Sequence, residues 1–527
     1  MLNARIPAMR NQALIGLFVF VFGLWLAWEI GGNIAANNMQ PTVFFVLAFT
    51  GCLVAMTIVR NWRSGFYFFL VWLLFEDLVR KYMGNNLALF FGKDVLAGLV
   101  YVSLYVAVRR GREKTFRPPF LFFLSLFFWL GVLQIFNQNS PHILYGLLGF
   151  KVYFFYVPLM FVGYALIRSD EDLRKFLVVN ASLAGLIAVC GIIQAIVGHS
   201  FLNPTVLAPE LQDLGALDKV TPLTSQVLSL PSSVFVSAGR FSVYLILVFI
   251  LMMGSAGYLL LHTLHGRKLV FIVLGVICGA ALFSGSRGTV VSVAASFLIM
   301  SAGFLWGAPW RWKQAYRMAK AIRRSLIVGA LGLAFVVLVF PNETGSRIAL
   351  YTETLSPNSS AYEFSTRSWD YPVQNLLLAF TTPNWVVGNG IGTASLGIQY
   401  VAKVIGQRPP AIWVECGYGV LIVELGIVAP FLWILWSGAL LYFMWKVMLR
   451  LRQTRFFPIA FAIFWFAFLL LYPMTFGSLS TYQNYICNAY FWLLIGIFFR
   501  LPEVLANPAV PAVVSSPKPH ARRGFPF

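Results

Sequence analysis

Ala281 to Leu298 reads ALFSGSRGTVVSVAASFL, two apolar arms joined by Ser284-Gly285-Ser286-Arg287-Gly288. An arginine at a bilayer centre costs roughly 3 kcal/mol even on lenient insertion scales. The stretch therefore reads as two membrane helices that meet at a membrane face, with Arg287 opening the second and needing an anionic partner. The rest of the chain agrees. Of its 527 residues 59% are hydrophobic and 11% charged, and the mean hydropathy is +0.78, far outside soluble globular composition. Spanning about 30 Å of hydrocarbon takes about 20 helical residues. Runs of that kind lie near 13–30, 41–59, 65–76, 87–108, 118–136, 143–167, 176–197, 240–262, 268–284, 288–306, 325–340, 412–445, 456–472 and 485–499. The expected fold is an all-α polytopic membrane protein of about 14 (12–14) transmembrane helices, occupying residues 1–500.

Leu14 to Ala27 is apolar, but no small-residue cleavage site follows before Glu29, so the first run reads as a retained anchor. Lys and Arg in short loops set orientation. With both termini cytoplasmic, the inside segments hold roughly 28 of the 39 basic residues. The net charge of +21 is then topology and contact with anionic lipid, which argues against a nucleic-acid partner. Two connections are long, 198–239 and 341–411, and both fall on the extracytoplasmic side. The tail 501–527 is rich in proline, lacks apolar periodicity and reads as a disordered cytoplasmic end.

Several basic residues are left over by this rule. Lys93, Lys151, Arg240 and Arg287 fall near the outer ends of separate helices, which points to one pocket for a polyanion at the outer leaflet; Arg80, Lys81, Lys219, Arg347, Arg367, Lys403 and Arg408 are also left over. Within the second long loop, Ser365 to Gly392 reads STRSWDYPVQNLLLAFTTPNWVVGNGIG. Trp369, Val373, Leu376, Leu377 and Phe380 recur at helical spacing, and Gly388, Gly390 and Gly392 mark a turn with close backbone approach.

The order SGSRGTVVS, a basic loop, TRSWDYPVQNLLLAFTTPNWVVGNGIG and then ECGYGVLIVELGIVAPFLW resembles the O-antigen ligase and O-antigen polymerase superfamily over about residues 280–435, and Arg240 in GRFS is similar to a further family arginine. The resemblance implies a GT-C-like, metal-independent, inverting glycosyltransferase of the bacterial inner membrane. Its donor would be an undecaprenyl-diphosphate-linked oligosaccharide, with no cofactor, and its neighbours a flippase and a chain-length regulator or export proteins. In the ligases a His-Asn pair typically stands near the start of the helix after the large loop. Here Glu415 stands there, and no histidine lies between His265 and His520. That departure favours a polymerase of O-antigen or exopolysaccharide repeat units, with a ligase acting on lipid A-core as the alternative.

The residues suit that chemistry. A diphosphate is a good leaving group, so its departure calls for cations more than for an acid, and guanidinium groups bind phosphate bidentately. Arg287, Arg240 and Arg367 are the candidates, supported by Lys93 and Lys151. The acceptor hydroxyl must lose a proton, and Glu415, set among Trp413, Tyr418 and Pro410, is the candidate general base. It shares a helix face with Tyr418, whereas Glu424 lies roughly 13 Å deeper and reads as structural. No outward acidic cluster is present to hold a metal, and the five cysteines lack the paired spacing of a disulfide framework or zinc site. A transporter is the competing class, but the expected internal repeat with paired broken helices is not visible.

Overall fold

The computed structural model describes residues 39–84, 87–204, 218–262, 266–310, 338–410, 412 and 414–506, together with 316, 320, 323 and 327. The apolar run 13–30, most of 325–340, Trp413 and the tail beyond 506 lie outside the described residues. The chain divides into two compact units, Met1–Leu70 with Asp94–Val106 and Val71–Lys93 with Ala107–Phe527. In the first unit, α1 (Met39–Arg60) is followed by the start of α2 (Trp62–Met83), and Gly65 sits so close to Ile58 that a Cβ there would come within 2.4 Å. The second unit contains every candidate site residue.

The protein is an all-α membrane protein. Among the described residues eight helices are long and apolar enough to cross a membrane: Leu89–Arg109, Ile143–Leu166, Asp170–Val197, Ala238–Leu261, Arg287–Gly307, Val428–Leu451, Phe457–Gly477 and Tyr485–Ala506. Three of the expected runs do not give a single long helix among the described residues, for local reasons. Run 118–136 supplies only the 15 residues of Leu121–Ile135, and run 268–284 only the 17 of Arg267–Phe283. Run 412–445 breaks at Gly426, whose φ of +86° ends Gly417–Leu425 before Val428–Leu451 begins.

We number the remaining helices α3 (Leu87–Arg109), α4 (Leu121–Ile135), α5 (Ile143–Phe154), α6 (Leu159–Leu166), α7 (Asp170–Val197), α8 (Ala238–Leu261), α9 (Arg267–Phe283), α10 (Arg287–Gly307), α11 (Pro341–Leu355), α12 (Tyr371–Ala379), α13 (Ile398–Ile405), α14 (Gly417–Leu425), α15 (Val428–Leu451), α16 (Phe457–Leu469) and α17 (Tyr485–Ala506). Local chemistry sets where those that carry the site begin. Ser237 Oγ accepts from the Arg240 N–H at 3.3 Å and caps α8; Ser286 Oγ accepts from the Thr289 N–H at 3.3 Å and caps α10. Helix α8 lies at the centre, 94% of its apolar window buried, packed against α7, α9, α10 and α16. Helices α6 and α17 approach through glycines, as membrane helices do: a Cβ at Gly496 would meet the Met160 carbonyl at 1.9 Å.

The two long connections are laced together. The first holds the hairpin of β1 (Asp218–Val220) and β2 (Val227–Ser229), antiparallel with Lys219 opposite Leu228. Glu353 of α11 accepts from the N–H groups of Leu223 and Thr224 and from Thr224 Oγ1. Those hydrogen bonds hold its carboxyl below the usual range. Beyond α11, a π-helical turn at Thr366–Asp370 runs directly into α12, so the apolar spacing read in the loop is helical. The glycine turn is also as the sequence implies. Gly388, Gly390 and Gly392 have φ of +89°, +97° and +91°, and a Cβ on Gly392 would lie 2.0 Å from the Tyr145 carbonyl. Glu424 fastens this turn: its carboxylate accepts from Tyr153 Oη, Ala394 N–H and Ser395 Oγ, each at 2.8 Å.

Candidate anion-binding site

Eight of the eleven cations that the charge rule leaves over gather in two groups, not one. The first begins on α2, where Phe75-Glu76-Asp77-Leu78-Val79-Arg80-Lys81 continues a membrane-type helix with four charges that are all at most 3% exposed. Such burial is tolerable only if the charges are matched, and they are. Asp77 accepts from Arg240 Nη1 at 2.7 and 2.9 Å, from Arg80 Nη1 at 3.1 Å and from the Val236 N–H at 3.2 Å. Glu76 pairs with Lys93 at 2.8 Å. Arg80 also donates to Tyr400 Oη at 2.9 Å, and Lys81 to Ser232 Oγ and the Ser233 carbonyl.

Lys93, Lys151 and Arg240 line one cavity of about 260 Å³, with Tyr400 and Tyr485 in its walls. Lys93 Nζ lies 3.9 Å from the Phe90 ring centroid and Lys151 Nζ 4.6 Å from it, while the Arg240 guanidinium stands 5.2 Å over Tyr485. Aromatic faces of this kind hold a cation in place without neutralising it. Among the residues named here the cations Arg80, Lys81, Lys93, Lys151 and Arg240 outnumber the carboxylates Glu76 and Asp77 by three. The volume falls below the roughly 300–1,000 Å³ of drug-sized ligand sites, so it suits a small anionic group and not a whole glycan. Lys151 stands in the last turn of α5, not near a helix start as expected.

Neither Arg287 nor Arg367 lines that cavity. They meet instead at Glu363: Arg287 Nη1 is 2.8 Å and Arg367 Nε 3.7 Å from Glu363 Oε2. Lys219 on β1 joins them. Burial pushes its ammonium below the usual 10.5, with Arg287 and Arg367 adding to the shift and Glu363 opposing it. This second group also carries excess positive charge.

Glu415 is half-buried in the extended residues just before α14. Its N–H donates to Asn375 Oδ1 at 3.2 Å, which docks it on α12. Tyr418, in the first turn of α14, faces the Phe476 ring at 6.5 Å, and Trp369 of the loop helix reaches the same ring at 5.6 Å. One helical segment therefore carries Arg367 near one end and Asn375, with Glu415 attached, eight residues on, about 12 Å along its axis. Glu76, Asp77 and Glu363 were not singled out from sequence. Their signal was present as Glu76/Arg80, Asp77/Lys81 and Glu363/Arg367, all at i,i+4. Among the described residues no group of three His, Cys, Asp or Glu side chains is arranged to hold a metal ion. The chain matches no family model, no curated protein and no solved structure.

Proposed function

We propose that this chain is a glycosyltransferase that polymerises oligosaccharide repeat units carried on polyprenyl diphosphate, at the outer face of a bacterial inner membrane with both termini cytoplasmic. The observation that carries the reading is the loop helix that joins the Arg287–Arg367 cation pair to Glu415 through Asn375. In this scheme the donor diphosphate lies against Arg287 and Arg367, with Lys219 beside them. The bond between the anomeric carbon and the phosphate oxygen breaks, and the diphosphate leaves with the electron pair into a preorganised cationic site. The acceptor hydroxyl oxygen forms the new bond from the opposite face, inverting the anomeric centre, and gives its proton to Glu415. Tyr418 walls the acceptor side. No metal is needed, since the protein's own cations offset the developing charge.

The cation group of Lys93, Lys151 and Arg240 supports a polymerase over a ligase. A polymerase holds two lipid diphosphates, that of the growing chain and that of the incoming unit. The cavity of Lys93, Lys151 and Arg240 offers a place for the second. The test is Arg287→Lys, which keeps the charge but loses the bidentate fork. Turnover of a lipid-linked repeat unit should fall about 10²-fold or more, the usual cost of a lost charge-stabilising donor. Unchanged turnover in both Arg287→Lys and Arg287→Ala would overturn the assignment.

A further inference from the structure

The Arg287 group already contains an anion. Glu363 Oε2 lies 2.8 Å from Arg287 Nη1, yet that nitrogen is buried and makes no hydrogen bond, so the contact has ion-pair distance without donor alignment. Such contacts are the weaker kind, because the directional part of a charge-assisted hydrogen bond is missing. The same oxygen is 3.7 Å from Arg367 Nε, and the Lys219 ammonium feels all three groups. Two guanidinium groups with five N–H donors each and one ammonium thus share a single carboxylate. The exposure is graded: the Glu363 side chain is 36% exposed and Arg287 18%. The Arg367 side chain is more exposed still, at 60%, so Arg287 is the innermost of the three.

A phosphate-type anion brings more charge and more acceptor oxygens than a carboxylate, and so satisfies more of these donors. Glu363 is also able to withdraw: it lies four residues before Arg367, at the start of the loop helix, where the Arg367 N–H donates to its carbonyl at 2.9 Å. Turning its side chain toward solvent breaks no backbone bond.

We infer that Glu363 is a placeholder, its carboxylate occupying the anion position of Arg287 until a phosphate-type group displaces it. The inference rests on the assignment of Arg287 and Arg367 to an anionic substrate group, but not on the transfer reaction. Its effect is to lower affinity for anions too weak to compete with a tethered carboxylate and to keep Arg287 oriented between turnovers. If the uncovered state is about one tenth of the resting population, removing the carboxylate tightens binding about tenfold.

The test is calorimetric titration of the full-length protein in detergent with inorganic pyrophosphate, comparing wild type, Glu363→Gln and Arg287→Gln. The quantity read is the binding component that Arg287→Gln abolishes, which separates this site from the other cationic cavity. In Glu363→Gln that component should tighten about tenfold; Glu363→Asp, with a carboxylate one methylene shorter, should shift it the same way by less. Unchanged or weaker binding in both Glu363 variants, with the Arg287-dependent component intact, would overturn the placeholder and leave the proposed function standing. Absence of any Arg287-dependent binding would overturn both.

Discussion

Replacing Asp77 by Asn keeps the shape of the side chain and removes one buried charge. Asp77 is fully buried, and its carboxylate serves two guanidiniums and a backbone N–H. Removing one partner of a buried ion pair typically costs about 3–5 kcal/mol, because the other charge is left uncompensated. Two features soften the loss. Arg80 keeps Glu76 at 3.7 Å and Tyr400 Oη at 2.9 Å, and the Arg240 side chain retains 20% exposure. The expected destabilisation is therefore near the low end, about 3 kcal/mol. Arg240→Gln should cost a similar amount by leaving Asp77 with Arg80 as its one guanidinium partner, but Asp77→Asn with Arg240→Gln removes both charges together and should cost less than the sum by about 1–3 kcal/mol. The assay is denaturant unfolding of the four proteins in one detergent under one set of conditions. A loss below about 1 kcal/mol for Asp77→Asn, or strict additivity in the double variant, would show that Asp77 does not hold Arg240.

Glu415→Gln should retain donor binding and lower turnover by about 10² to 10⁴, the span for lost general-base help, as read by single-turnover transfer. Gly392→Ala should destabilise by about 2–5 kcal/mol, combining left-handed backbone strain with a Cβ forced into the Tyr145 carbonyl, seen as a lowered unfolding midpoint. A cysteine at Ser359 should be labelled from outside intact cells by a membrane-impermeant maleimide; protection there would invert the topology and move the candidate site to the other face.

Local chemistry was legible in the sequence. The helical spacing from Trp369 to Phe380 and the glycine turn at Gly388 to Gly392 were readable, because backbone conformation there depends on residues a few positions apart. Partnership between distant helices was not. Lys93, Lys151 and Arg240 do share a cavity, but Arg287 and Arg367 converge on Glu363, since neighbour relations among helices follow from packing and leave no local trace. The α2 run was read as ending at Glu76 because hydropathy counts charges as exposed. Their mutual pairing lets the helix continue to Met83, with its charges buried as far as Lys81. Hydropathy was equally blind to Gly426, where backbone conformation divides one apolar run into two helices.

The most direct measurement is the product made by the purified full-length protein from a polyprenyl-diphosphate-linked repeat unit in the presence of EDTA. The expected result is a ladder of lengthened glycans still attached to the polyprenyl carrier, formed at the same rate with and without EDTA. Failure to transfer, transfer only to lipid A-core, or a strict need for magnesium or manganese would contradict it.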